Sequence, residues 1–171
     1  NFSLKIASKK EFNDSKIETK ILTKIDDFKK LADSTCFKDY EIAQHQKFVK
    51  NFISFQTPYN SLLLYHGLGS GKTCSAIGVS EQMRKYMVQM NNNKRIIIVA
   101  SPNVQKNFKL QLFDENKLNE NNGIFTLNNC TGEKILKEIN PTNNKGLTRD
   151  EIIKSINSLI QKRYVFMGYT Q

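Results

Sequence analysis

Histidine, cysteine and arginine are scarce in this chain of 171 residues, and each scarcity closes off a class of chemistry. The two histidines, His45 and His66, are too few and too isolated in sequence for a metal site. The three cysteines, Cys36, Cys74 and Cys130, are scattered, odd in number and without the paired spacing of metal ligands. They read as the reduced thiols of an intracellular protein, with Cys74 a small packed residue inside a helix. Arginine occurs only at 84, 95, 149 and 163, so lysine carries most of a formal charge of +10, from 26 basic and 16 acidic residues. Such an excess favours nucleic acid or another polyanion as partner. An AT-rich genome, which also favours Asn and Ile, accounts for the lysines equally well. No apolar run approaches the roughly 20 residues of a membrane span, and no signal-peptide pattern opens the chain. The expectation is a cytosol-like compartment with no membrane partner. The length suits one domain with one core. The chain starts without Met, and its last residues, Tyr164 to Gln171, read as a strand or its exit loop. Together these suggest a piece of something larger.

What the chain does have is Leu62-Leu63-Leu64-Tyr65-His66-Gly67-Leu68-Gly69-Ser70-Gly71-Lys72-Thr73. It reads as an apolar strand, Ser61–Tyr65, entering a glycine-rich turn that ends in Gly-Lys-Thr. Glycines at 67, 69 and 71 open backbone conformations closed to other residues and leave no Cβ in a ligand's way. The turn, with Ser70, can then aim successive N–H groups at a phosphate, and the next helix adds its positive N-terminal end. Lys72 would reach the β- and γ-phosphates of ATP, and the Thr73 hydroxyl would ligate Mg²⁺. The strict eight-residue pattern wants Gly where this chain has His66. The plainer alternative is a flexible turn before an ordinary helix.

Around this turn the chain divides into periodic segments. Ser15-Lys16-Ile17-Glu18 fits a capping box, and Ile17, Ile21, Leu22, Ile25, Phe28 and Leu31 follow at helical spacing, a stripe expected to pack on the body. A second amphipathic helix runs from about Ile42 to Phe55 and is broken at Thr57-Pro58-Tyr59-Asn60. A helix from about Gly71 to Met90 follows the turn and stops at Asn91-Asn92-Asn93. Arg95-Ile96-Ile97-Ile98-Val99-Ala100 is a β-branched run without alternation, the mark of a strand buried on both faces of a parallel sheet. Val104 to about Phe113 reads as helix, Asp114–Asn122 as loop, Gly123–Leu127 as strand and Gly132–Ile139 as a short helix. The alternation of strand and helix predicts an α/β fold, with the phosphate loop at a strand's carboxyl end.

The series Gln44-His45-Gln46-Lys47-Phe48-Val49-Lys50-Asn51-Phe52, then Leu62–Thr73, then Ile96–Asn103 with Asn107-Phe108, resembles the first RecA-like lobe of superfamily 2 helicases and translocases. It looks closest to the forms of large cytoplasmic DNA viruses, such as the early transcription factor large subunit and the poxvirus nucleoside triphosphate phosphohydrolase. The resemblance implies a partial RecA-like P-loop NTPase lobe over 43–171, with a mostly parallel sheet flanked by helices, and a helical N-terminal extension over 1–42. It assigns Gln46 to the adenine edge, which a side-chain amide suits with one donor and one acceptor; Gln44 is the competing register. Gly67, Gly69, Ser70, Gly71, Lys72 and Thr73 take the nucleotide and magnesium, with Lys72 and Thr73 in catalytic roles. Ser101, Pro102 and Asn103, with Lys106, would touch a nucleic-acid backbone, where short polar side chains and free amides grip phosphate without reading sequence. Lys109 could add to this, although a solvated helix face explains it as well.

An ATPase of this kind also needs an acidic pair at the end of a buried strand. Asp150-Glu151 does not serve, because Thr148-Arg149-Asp150-Glu151 is a capping box opening a helix with Ile152, Ile153, Ile156, Leu159 and Ile160. Tyr164–Gly168 would be the strand before the acidic one. The expected parent is therefore an ATP-dependent helicase or translocase in which a second RecA-like lobe completes the site. Its partners would be DNA or RNA and subunits of a transcription complex, and its place the cytoplasm, a viral factory or a virion. The fragment alone is expected to be inactive. Two alternatives are a non-catalytic module of a viral transcription or packaging complex and a small P-loop kinase. The kinase wants an arginine-rich lid, which four arginines poorly supply.

Overall fold

The computed structural model describes residues 1–16, 24–36, 42–131, 133–142 and 146–170, with Glu11, Thr35 and Cys36 described by backbone only. Helices α1 (Phe2–Ala7), α2 (Lys10–Asn13), α3 (Ile25–Cys36) and α4 (Gln44–Phe52) precede the glycine turn, and α5 (Lys72–Gln89) follows it. Then come β1 (Ile96–Val99), α6 (Pro102–Leu112), a 3-10 turn (Glu115–Lys117), β2 (Leu118–Asn121), β3 (Ile124–Leu127), α7 (Lys134–Ile139), α8 (Arg149–Arg163) and β4 (Tyr164–Met167).

Mixed helix and strand accord with the α/β expectation, but the sheet is smaller than a mostly parallel one. β1 and β4 form a parallel pair in the register Ile96–Tyr164 to Val99–Met167, and β2 and β3 form a separate antiparallel hairpin. The hairpin replaces part of the loop expected over 114–122. Its signal was in the sequence: Asn122 and Gly123 both take positive φ, 54° and 77°, as a two-residue type I′ turn requires.

The core is built by α5, α6, the hairpin, α7 and α8, with Ile77, Leu112, Ile152 and Ile156 fully buried. Ile96 and Ile98 of β1 and Phe166 of β4 pack against it. Alternation along a strand sends Ile97 and Val99 to the other face, where they are 59% and 55% exposed. The expectation that β1 is buried on both faces is thus corrected: among the described residues, helices cover one face only. Polar contacts lock the same elements together. The Tyr164 hydroxyl donates to Glu81 Oε1 at 2.5 Å, Arg84 reaches Glu81 at 3.1 Å and Glu138 at 2.6 Å, and Arg163 also binds Glu138. Burial, then the Glu81 carboxylate, pushes the Tyr164 hydroxyl far above its ordinary range.

Helix ends follow local chemistry. α5 stops at Asn91 with φ 54°, where Asn91 N donates to Val88 O and Asn92 N to Met87 O, the paired bonds of a Schellman motif. α6 starts with Pro102, whose missing N–H costs nothing in a first turn. α8 carries the capping box read from Thr148 and Glu151.

Three further expectations need correction. The run Ser61–Tyr65 has no ladder partner among the described residues, and Leu63 and Tyr65 are 85% and 94% exposed. An apolar run becomes a strand only when a neighbour accepts its backbone bonds. The described part of the N-terminal stripe does not pack on the body: Ile25, Phe28 and Leu31 are exposed. Residues 17–23, including Ile17, Glu18, Ile21 and Leu22, lie outside the described residues; Ser15 is buried, and its hydroxyl donates to Phe12 O. It is α2 that packs, through Phe12 against Phe48 and Phe52 of α4. Finally, Cys74 and Cys130 are disulfide-bonded with Cα atoms 5.2 Å apart, where free thiols were expected. A separation of 56 residues hid a contact between the start of α5 and the segment after β3.

Candidate nucleotide-phosphate site

The glycine turn is built as its sequence requires. Gly69 and Gly71 have φ of +76° and +79°, left-handed values that residues with a Cβ adopt rarely. At Gly71 a Cβ would also press on the Gln46 amide, which could swing aside only by giving up its bonds to Ala43 N and Gly71 O. At Gly67 and Gly69 a Cβ would meet nothing within 4 Å, so space beside the loop is open. α5 starts directly from Gly71 with no side-chain cap and no acidic residue in its first turn. Its first N–H groups and its dipole therefore meet no capping carboxylate from the helix's own first turn.

Lys72 sits at the head of this helix and donates to His66 O and Gly67 O, each at 2.8 Å. Ser70 Oγ donates to Gly67 O at 2.9 Å, closing the turn on itself. Thr73 is half-buried, and its hydroxyl has no hydrogen-bond partner among the described residues. The donor set of loop amides, helix N-terminus and lysine suits a polyphosphate, and the Thr73 oxygen suits its magnesium. Exchanging two neutral carbonyls for phosphate oxygens would strengthen both Lys72 bonds.

Gln46 is 7% exposed, on the first turn of α4. Its Oε1 accepts from Ala43 N at 3.0 Å, and its Nε2 donates to Gly71 O at 3.3 Å. An amide has two donor hydrogens and two acceptor lone pairs, so one of each is left after these bonds. Gln44, the other register, is exposed. Sequence reasoning gave His45 no role, yet its Nε2 lies 2.8 Å from Ser70 O and its ring meets that of His66 edge-on at 5.6 Å. The periodicity of α4 could not reveal this contact, which depends on how the loop returns to the helix.

Ser101, Pro102 and Asn103 leave the carboxyl end of β1 as expected, with Pro102, Asn103 and Lys106 exposed and Ser101 half-buried. Gln105, another residue without a motif, fixes this corner. Its Nε2 donates to Ala100 O at 2.7 Å and Met167 O at 2.9 Å, stapling the ends of β1 and β4. Lys109 instead stands 4.5 Å over the Phe166 ring. Asp150 and Glu151 lie in the first turn of α8, where Glu151 Oε2 accepts from Thr148 N at 2.8 Å. Among the described residues no cluster of three metal-ligating side chains occurs.

No family model matches the chain, and no solved structure matches it. Curated proteins do. It is 30% identical over 155 residues to a candidate ATP-dependent RNA helicase of Acanthamoeba polyphaga mimivirus, covering 89% of this chain and 12% of that protein. A second candidate ATP-dependent RNA helicase of the same virus is 50% identical over 61 residues, 36% of this chain and 7% of its own length. A candidate helicase of Frog virus 3 is 49% identical over 41 residues, 24% of this chain and 4% of that protein. The chain thus resembles helicases of large DNA viruses and spans a small fraction of their length. No helix among the described residues is long and apolar enough to cross a membrane.

Proposed function

We propose that the chain is the nucleotide-gripping part of an ATP-dependent helicase or translocase acting on DNA or RNA in a viral setting, transcription included. The observation that carries this reading is the left-handed Gly69–Gly71 turn feeding Lys72 and Thr73 into an uncapped α5. The names of the mimivirus relatives supply the reaction class. Residues 1–42 act as an extension to a RecA-like lobe over 43–171. Lys72 and the loop amides of Gly67, Gly69, Ser70 and Gly71 hold the phosphates, Thr73 holds Mg²⁺ and Gln46 borders the base. Bound ATP supplies the phosphoryl group whose transfer to water drives movement. Ser101, Asn103 and Lys106 stand at the nucleic-acid track. An acidic pair and a second lobe come from elsewhere in the full protein, so the 171 residues alone bind nucleotide and hydrolyse it slowly or not at all.

The test is a titration of a non-hydrolysable ATP analogue with magnesium against wild type and Lys72→Ala. Hydrogen bonds to charged groups are worth about 1.5–3 kcal/mol, so the variant should bind roughly 10- to 100-fold more weakly. Equal affinities would reject the site and leave a non-catalytic interaction module as the better reading.

A further inference from the structure

We propose that His45 is a positioning residue of the phosphate loop, acting through the hydrogen bond from its Nε2–H to Ser70 O. The inference rests on the nucleotide-site reading and adds to it a residue to which the resemblance gives no role. His45 and Gln46 are adjacent on the first turn of α4, and they take adjacent carbonyls of the loop, Ser70 O at 2.8 Å and Gly71 O at 3.3 Å. A trans peptide is planar, with its C=O and N–H pointing in opposite directions. Holding the Ser70 carbonyl against α4 therefore turns the Gly71 N–H away from α4. Holding the Gly71 carbonyl does the same for the Lys72 N–H. These are the amides that must point at a phosphate if the loop is to bind one.

The left-handed Gly71 makes such a brace necessary. A glycine has the widest choice of backbone conformations, so the peptide planes on either side of it need outside contacts to stay fixed. Gly71 O also accepts from Ser75 N and Ser75 Oγ of α5, whereas among the described residues His45 is the side chain that holds Ser70 O. The His45 ring is itself oriented by its edge contact with His66, whose carbonyl receives Lys72. One imidazole thus braces the loop backbone beside the lysine that would hold phosphate.

The alternative is that His45 only fills space, and two substitutions separate these roles. His45→Leu keeps the bulk and removes the donor, while His45→Gln keeps an N–H at comparable reach. One neutral hydrogen bond is worth about fivefold in an equilibrium. His45→Leu should weaken binding of the magnesium ATP analogue by about that factor and similarly speed hydrogen exchange at the Ser75 amide, which donates to the braced Gly71 carbonyl. His45→Gln should restore both to within about twofold. Unchanged binding and exchange in His45→Leu, or a His45→Gln variant as impaired as His45→Leu, would overturn the assignment. If wild type and Lys72→Ala bind the analogue equally, the nucleotide reading fails separately, and the exchange rates alone decide the role of His45.

Discussion

Single residues here do different work from what their types suggest, and Glu151 is a case that can be titrated. It belongs to an acidic pair that invites a catalytic reading, yet its carboxylate accepts from the Thr148 amide at 2.8 Å and the Thr148 hydroxyl at 2.9 Å. The Thr148 backbone bond, then the Thr148 side-chain bond and then Lys154, hold its pKa below the ordinary 4.5. A depressed carboxyl pKa means that the folded state favours the charged form. The cap's contribution is therefore complete above the unfolded value and is lost as pH falls through the folded one. The Glu151 carboxyl, followed by ¹³C NMR, should titrate below 4.5 in the wild type. It should move part of the way up toward that value in Thr148→Ala, which removes the hydroxyl bond and keeps the backbone one; identical midpoints would show that the hydroxyl bond does not form in solution. A carboxylate spent on capping is a poor candidate to activate water, which is why the acidic pair is sought elsewhere.

At the scale of elements, the two faces of the parallel pair predict opposite tolerances. Ile156 of α8 is fully buried in the core, so Ile156→Ala should cost about 2–5 kcal/mol in a denaturant titration. Ile97 of β1 is 59% exposed on the uncovered face, and Ile97→Ala should cost roughly 0.5 kcal/mol or less. Comparable losses at both positions would mean that the second face is covered in solution. Much of this architecture was legible in the sequence. The helices of α4, α5, α6 and α8 follow from 3.6-residue periodicity and cap chemistry, both local signals. Strands 96–99 and 164–167 were found because β-branched and aromatic residues mark them. Pairing was not legible: Leu62–Leu64 is as apolar as β1 but has no ladder among the described residues, because a strand depends on a partner remote in the chain. The same limit hid the disulfide between Cys74 and Cys130. In the candidate site the glycines, Lys72 and Thr73 announced themselves by spacing. His45 and Gln105 did not, since each acts on backbone carbonyls that any residue could have supplied.

At the scale of the whole molecule the governing quantity is the charge of +10. Some of its lysines stand close together, around a pocket that Glu81 also lines. Lys50 is held below its ordinary 10.5 by burial first, then by Lys134 and Lys85. Repulsion of this kind is relieved when a polyanion replaces small counterions, so a nucleic-acid partner should bind with strong salt dependence. For a single strand the slope of log affinity against log salt is about −0.7 per phosphate neutralised. If the corner after β1 and its neighbours engage about three phosphates, a fourfold rise in salt should weaken binding of a single-stranded oligonucleotide roughly 20-fold. Lys106 is exposed on the first turns of α6 beside Asn103, and removing it should take one phosphate contact away. Lys106→Ala should then flatten the slope by about 0.7, and do so alike for oligonucleotides of different sequence, because phosphate contacts carry no base information. A wild-type affinity insensitive to salt would remove nucleic acid as the reason for the charge. An unchanged slope in Lys106→Ala would move the track away from α6 to other lysines.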